Sequence, residues 1–99
     1  MRVLVIDGQG GKVGAQFVSG IRERLPGARV TAVGTNAMAA AALRKAGADA
    51  AATGENAVIV ACRTADVIVG PVGIVIADAM LGEITPAMAR AVGQSLARR

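Results

Sequence analysis

A glycine-rich stretch near the N-terminus, DGQGGKVG over residues 7–14, carries the residue types that bind phosphate. Glycines adopt positive φ readily and let backbone N–H groups approach an anion, and a helix that starts there adds its positive end. Lys12 is a further candidate phosphate partner. The stretch predicts an anion-binding turn, provided that its amides are unpaired and point outward. The alternative is a tight strand-to-helix turn whose glycines only permit close packing.

The spacing of these glycines departs from the standard nucleotide fingerprints. Gly8 and Gly10 begin a G-x-G-x-x-G pattern, but Val13 stands where the third glycine belongs. The P-loop pattern also fails, because Lys12 is followed by valine and not by Ser or Thr. Asp7 would repel phosphate unless it binds a metal, a ribose hydroxyl or backbone donors. Holding the turn by hydrogen bonds is the commoner role of such an aspartate.

Three other segments, GTN at 34–36, TGEN at 53–56 and GPVG at 70–73, follow predicted strands. Thr35 and Asn36 stand where NAD-binding proteins carry an acid for the ribose hydroxyls, so ordinary NAD recognition is not expected. Each segment has an alternative interpretation as a cap or a rigid turn. Glu83 is a candidate general base if the last loop folds over the site, or an acid that favours a helix N-terminus.

The elements that would position these segments alternate along the chain. Continuous apolar runs predict strands, and apolar residues at helical spacing predict helices. Predicted strands cover residues 2–6, 28–33, 49–52 and 65–69, and predicted helices cover 12–25, 37–46, 56–63 and a last segment that opens at Thr85 and Pro86 and has Leu96 on its inner stripe. Within 56–63, the β-branched residues 58–60 favour a strand, but the alternating order favours a helix. Residues 74–81 fit either a strand or a helical turn. This order predicts an α/β fold: a Rossmann-like parallel sheet with right-handed crossovers, strand order 3-2-1-4 and helices on both faces.

Composition limits the classes of function. The chain has 99 residues, no histidine and one cysteine, Cys62, which excludes a Cys/His zinc site and an internal disulfide. Although the net charge is +4, the basic residues are scattered and no aromatic platform exists, so we expect no nucleic-acid partner. No apolar run approaches a signal sequence or a membrane span, so we expect one cytoplasmic domain without a membrane partner.

Several segments together resemble a small family of bacterial proteins known as domain of unknown function 3842. They are DGQGG at 7–11, GTNA at 34–37, TGENA at 53–57, GPVG at 70–73 and GEITP at 82–86. The resemblance covers nearly the whole chain and implies a Rossmann-like cytoplasmic protein, without an established activity. Family members continue past the last helix into a further apolar segment, whereas this chain stops at Arg99. We expect the open sheet edge to favour a homodimer.

These observations predict a small protein that binds a nucleotide or another phosphorylated metabolite at the carboxyl edge of its sheet. One alternative is a small enzyme acting on that ligand through Asp7, Lys12, Glu55 or Glu83. The other is a ligand-free oligomeric scaffold. The cofactor is unspecified, with a nucleotide or dinucleotide as the candidates, and no metal ligand is predicted. The predicted binding residues are Asp7, Gly8, Gln9, Gly10, Gly11, Lys12, Gly14, Gly34, Thr35, Asn36, Thr53, Gly54, Glu55, Asn56, Gly70, Pro71 and Gly73.

Overall fold

A computed structural model describes residues 1–71, 74 and 82–98 of the chain. Within these residues strands and helices alternate as the sequence predicts. The strands are β1 (Arg2–Asp7), β2 (Arg29–Gly34), β3 (Ala50–Thr53) and β4 (Val67–Val69). The helices are α1 (Lys12–Arg24), α2 (Ala37–Lys45), α3 (Glu55–Thr64) and α4 (Pro86–Gln94). The predicted strand or helical turn over residues 74–81 lies outside the described residues except for Ile74.

The four strands form one parallel sheet in the order β3-β2-β1-β4, which confirms the predicted Rossmann-like topology. In register, Val5 of β1 lies opposite Ala32 on one side and Val69 on the other. The chain runs from β1 outward to β3 and then returns to the other side of β1. Ligands of such sheets bind beyond the carboxyl ends of the strands, next to this reversal. We call this carboxyl edge, with the loops that follow each strand, the rim.

Two cores lie on opposite faces of the sheet, because successive side chains of a strand point to opposite faces. Val3 and Val5 of β1 pack with α1 and α2, in a core that includes Val18 and Leu43. Leu4 and Ile6 pack on the other face, in a larger core that includes Val58 of α3 and the α4 residues Met88 and Val92. Both faces of the sheet are therefore covered by helices, as predicted.

The helix ends follow local chemistry. The Asn36 side chain accepts a hydrogen bond from the Ala39 N–H at the start of α2 (2.8 Å), as expected of an N-cap residue. Thr85 caps α4 by accepting from the Met88 N–H (3.2 Å), with Pro86 at the first helical position. Both caps lie beside the rim. Asn36 belongs to the loop after β2, and Thr85 belongs to the segment before α4 that also carries Glu83.

The structure decides one open alternative, the conformation of α3, and differs from the sequence prediction in two details of α1 and α4. The β-branched residues of α3 adopt a helix because Val58 and Cys62, four residues apart, are buried on one face, and packing overrides propensity. On α1, Val18 is buried, but Val13, Phe17 and Leu25 are substantially exposed. The prediction that Leu96 lies on the inner stripe of the last helix is wrong, because Leu96 lies beyond the end of α4 and is fully exposed.

Candidate functional site

The loop after β1 is organised around the buried carboxylate of Asp7, which is only 4% exposed. Its Oδ1 accepts a hydrogen bond from the Gly8 N–H (2.8 Å) and its Oδ2 accepts one from the Gly14 N–H (2.6 Å). Since Gly14 lies in the first turn of α1, the two bonds tie the end of β1 to the start of the helix. Asp7 thus binds backbone donors, one of the three options that the sequence leaves open.

The glycine fingerprint is present in the structure, displaced by one residue from the register of Gly8 and Gly10. Gly11 caps α1 with a φ of 73°, and a Cβ on Gly14 would lie 2.6 Å from Leu43 Cδ2 and 2.7 Å from Asp7 Cβ. Close helix packing is the role of the last glycine in G-x-G-x-x-G. The loop therefore follows this pattern as Gln9-x-Gly11-x-x-Gly14. Gln9 replaces the first glycine and itself has a φ of 49°.

The amides of the loop divide into two groups. Four of them donate to the protein's own oxygens: Gly8 and Gly14 to Asp7, Gln9 to Glu83, and Gly11 to the Gly8 carbonyl. The amides of Gly10, Lys12 and Val13 donate to no group among the residues that the structure describes, and these three residues are exposed. The requirement of unpaired, outward amides is met by this second group and not by the first.

Glu83 reaches the rim from the segment before α4. Its Oε1 accepts hydrogen bonds from the Gln9 N–H (2.6 Å), the Thr35 hydroxyl (2.5 Å) and the Asn36 side-chain amide (3.2 Å). One carboxylate thereby joins the loop after β1 to the loop after β2. The backbone bond from Gln9, followed by the bond from the Thr35 hydroxyl, holds the pKa of Glu83 below its ordinary value. Glu83 is therefore ionised at neutral pH.

Asn36 links three parts of the rim. Its carbonyl oxygen caps α2, while its Nδ2 donates to the Gln9 carbonyl (2.9 Å) and to Glu83. The predicted capping role is confirmed, and the contacts with the glycine loop add to it. Thr35 also connects the loops, because its backbone N–H donates to the Asp7 carbonyl (3.0 Å).

The TGEN segment is attached to the segment that carries Glu83. The Glu55 carboxylate accepts a hydrogen bond from the Thr85 hydroxyl. Gly54 caps α3 with a φ of 98°, a backbone conformation that favours glycine. Thr53 and Asn56 are exposed on the same rim. Residues 82–85 therefore lie across the loops after β1, β2 and β3.

Two of the predicted binding glycines lie where packing requires glycine. A Cβ on Gly34 would overlap the backbone nitrogen of Ala40, and a Cβ on Gly70 would overlap the Ile6 carbonyl oxygen. These positions let the ends of β2 and β4 approach their neighbours closely. Pro71 follows Gly70 and is half-buried, whereas Gly73 lies outside the described residues.

The exposed side of the glycine loop forms a depression of about 220 Å³ lined by residues 7–13. A larger concavity of about 350 Å³ lies at the opposite end of the sheet, between α3 and the chain after α4. That concavity is lined mainly by apolar groups, including Cys62, and burial raises the pKa of the Cys62 thiol. Of these two, the smaller depression is the one on the rim.

Residues 1–71, 74 and 82–98 contain no cluster of three or more Cys, Asp or Glu side chains that could hold a metal ion. Within the same ranges, none of the helices combines the length and the apolar character needed to cross a bilayer.

A family model matches nearly the whole chain. The model of the family described as "Domain of unknown function (DUF3842)" matches residues 2–99. The chain belongs to this family. Membership agrees with the resemblance of the rim segments and assigns no activity to them. Searches of the curated proteins and of the solved structures found no match to this chain.

Proposed function

We propose that the protein binds a small phosphorylated ligand, a nucleotide or another phosphorylated metabolite, at the rim of its sheet. The observation that carries the proposal is the group of three amides, those of Gly10, Lys12 and Val13, that have no partner among the described residues and lie on the depression at the start of α1. Unpaired N–H groups at a helix N-terminus are the donors that phosphate oxygens accept from, and the helix dipole adds to the attraction.

Lys12 supplies the positive charge that the amides lack. Its side chain is exposed and forms no hydrogen bond or ion pair with a residue that the structure describes. It lines the same depression as the unpaired amides. A lysine in this position acts on phosphate as a point charge, so we expect the affinity to fall as the salt concentration rises.

The size of the depression indicates which part of the ligand it holds. A volume of about 220 Å³ lies below the range of about 300–1,000 Å³ that is typical of sites for whole small molecules. A phosphate or diphosphate group fits such a space, and the rest of a nucleotide would extend along the rim. We expect the predicted residues of the other rim loops to contact the non-phosphate part.

Calorimetric titration of the full chain with pyrophosphate, phosphate, ATP, NAD(H) and NADP(H) tests the proposal. A Cβ on Gly10 would meet no atom within 4 Å, so Gly10→Val leaves the fold intact and fills the depression. We expect this variant to lose binding by at least about tenfold, equal to about 1.4 kcal/mol.

Gly27→Val is the matched control. Gly27 is also exposed with open space around its Cβ position, but it lies in the turn before β2, at the opposite end of the sheet. We expect it to bind as the wild type does. Equal losses in both variants, or no saturable binding of any probe by the wild type, would contradict the proposal.

The predicted homo-oligomer is a separate proposal. Val13, Phe17 and Leu25 expose apolar surface along α1, and exposed apolar stripes are common at interfaces. On the outer edge of β4, Val67 forms a parallel bridge with Arg98, so that edge is partly paired. Light scattering after size exclusion measures the mass in solution, and a monomer at all concentrations would rule out the oligomer.

A further inference from the structure

The rim carries a carboxylate at the tip of β2, although the sequence of β2 supplies none. Glu83 contacts Thr35 and Asn36, the two residues that follow β2. In dinucleotide-binding sheets an acid at this place accepts hydrogen bonds from the ribose hydroxyls. The position that the sequence leaves without an acid is thus filled by a residue 48 positions further along the chain.

The two oxygens of this carboxylate are used unequally. Oε1 accepts three hydrogen bonds, from Gln9, Thr35 and Asn36. Among the residues that the structure describes, Oε2 receives only a long contact of 3.4 Å, from the Asn36 side-chain amide. Since each carboxylate oxygen can accept about two hydrogen bonds, Oε2 keeps its capacity for hydroxyl donors. The bonds to Oε1 fix the orientation of the group, and Oε2 remains available.

The segment that carries Glu83 is anchored on both sides of the rim. Ile84, the next residue, is fully buried in the core on the α3 and α4 face. Thr85 caps α4 and donates its hydroxyl hydrogen to Glu55. The carboxylate is therefore held in place before any ligand arrives, and an acceptor fixed in this way binds without the cost of ordering a side chain.

Glu83 and the unpaired amides are close enough to serve one ligand. Gln9 donates to Glu83, and the next residue, Gly10, presents the first unpaired amide. Since consecutive Cα atoms are about 3.8 Å apart, the first unpaired amide lies directly beside the residue that binds Glu83. Because the amides and Oε2 are separate groups, a phosphate can bind without displacing the carboxylate.

We propose that Glu83 accepts the hydroxyls of a vicinal diol, so that the ligand is a ribonucleotide with free 2′ and 3′ hydroxyls; this rests on the phosphate-binding function proposed above. A negative charge at the tip of β2 repels a 2′-phosphate, and with a 2′-deoxyribose it loses one of the two hydroxyl bonds. The alternative role of Glu83 is that of an internal anion which an incoming phosphate must displace. The two roles differ in whether the wild type prefers ribonucleotides and whether neutralising the side chain removes that preference.

Titration calorimetry on the full chain separates them, with ADP, GDP, their 2′-deoxy forms and pyrophosphate as probes. We expect the wild type to bind each ribonucleotide about tenfold more tightly than its deoxy form, as one hydrogen bond to a charged group provides. Glu83→Gln should abolish this ratio, and it should not weaken pyrophosphate binding, because it removes a negative charge near the unpaired amides. Glu23→Gln, which removes an exposed carboxylate of α1 away from the rim, should keep the wild-type ratio.

The outcomes are distinguishable. Equal affinity of the wild type for ribo and deoxy forms overturns the diol assignment, and this comparison needs no variant. A ribo-to-deoxy ratio that Glu83→Gln leaves unchanged also overturns it, because a group other than this carboxylate then recognises the 2′-hydroxyl. Binding of pyrophosphate without any nucleotide preference leaves the proposed phosphate site standing alone. No binding of any probe by the wild type removes the phosphate site itself, and the diol assignment with it.

Discussion

The rim has two regions built from similar residues and used differently. At the inner rim, defined by Gly14, Gly34 and Gly70, an added Cβ would overlap neighbouring atoms. At the outer rim, defined by Gly10, Lys12 and Val13, the residues are exposed and their amides are unpaired among the described residues. Both regions come from glycine-rich segments that look alike in the sequence.

The difference shows that glycine content alone does not identify a binding surface. The inner rim brings strands and helices together so closely that no side chain fits. The outer rim leaves backbone donors without partners, which is the condition for binding an anion. The inner rim therefore positions the outer rim, and substitutions in the two regions should separate stability from binding.

The largest effect is expected at Gly34. In Gly34→Ala the new Cβ would overlap the backbone nitrogen of Ala40, and backbone atoms at the start of α2 cannot move aside cheaply. We expect a loss of about 3 kcal/mol in the free energy of unfolding, measured by urea denaturation. Gly27→Ala, in open space, is the control and should change stability by less than about 0.5 kcal/mol. Equal stability of the two variants would show that β2 and α2 are not in close contact here.

A smaller loss is expected at Gly14. In Gly14→Ala the Cβ would lie 2.6 Å from Leu43 Cδ2, an atom at the end of a flexible side chain, and 2.7 Å from Asp7 Cβ. Partial repacking of Leu43 limits the loss to about 2 kcal/mol. The double variant Gly14→Ala with Leu43→Ala tests the cause. It should lose less than the sum of the two single variants, because removing the leucine methyls relieves the overlap. Simple additivity would contradict this explanation.

The sheet could be predicted from the sequence because its determinants are local. Apolar runs such as Arg2–Asp7 and the caps at Asn36 and Thr85 each act within a few residues. The exposure of Val13 and Phe17 on α1 could not be predicted in this way, since helical periodicity does not show how much of a helix the sheet covers.

The site was predictable only in part for a related physical reason. The loop after β1 and its unpaired amides follow from glycine spacing next to a strand. Glu83 contacts Gln9, which is 74 positions away in the sequence, and Thr35, which is 48 positions away. No short sequence pattern predicts contacts over such separations. The positive φ of Gln9 could not be predicted either, because a non-glycine residue gives no local signal of that conformation.

A weaker effect on stability is expected from acid titration of Glu83, whose carboxylate joins the loop after β1 to the loop after β2. Since the pKa of Glu83 is lowered in the folded protein by the bonds from Gln9 and Thr35, ionised Glu83 stabilises the fold fully above the ordinary pKa of the unfolded chain. This contribution is lost as the pH falls through the lower, folded pKa. We expect Glu83→Gln to cost about 1 kcal/mol near neutral pH, and the cost to shrink towards zero in acid.

Urea denaturation of the wild type and Glu83→Gln across that range checks the sign. Glu23→Gln again serves as control, because Glu23 is exposed and accepts no side-chain hydrogen bond from the described residues. A cost of Glu83→Gln that stays constant into acid would show that the ionised carboxylate does not hold the two loops together.

The smallest effect on stability is expected at the outer rim itself. In Gly10→Ala the new methyl group meets no atom within 4 Å and no positive φ is required there, so the free energy of unfolding should stay within about 0.5 kcal/mol of the wild type. Because the methyl group lies on the depression, pyrophosphate binding should still weaken, though less than in Gly10→Val. Urea denaturation and calorimetry on the same preparations measure both quantities. A loss of stability comparable to that of Gly14→Ala would mean that the outer rim, too, is a packing surface, and the division between a structural and a binding region would no longer hold.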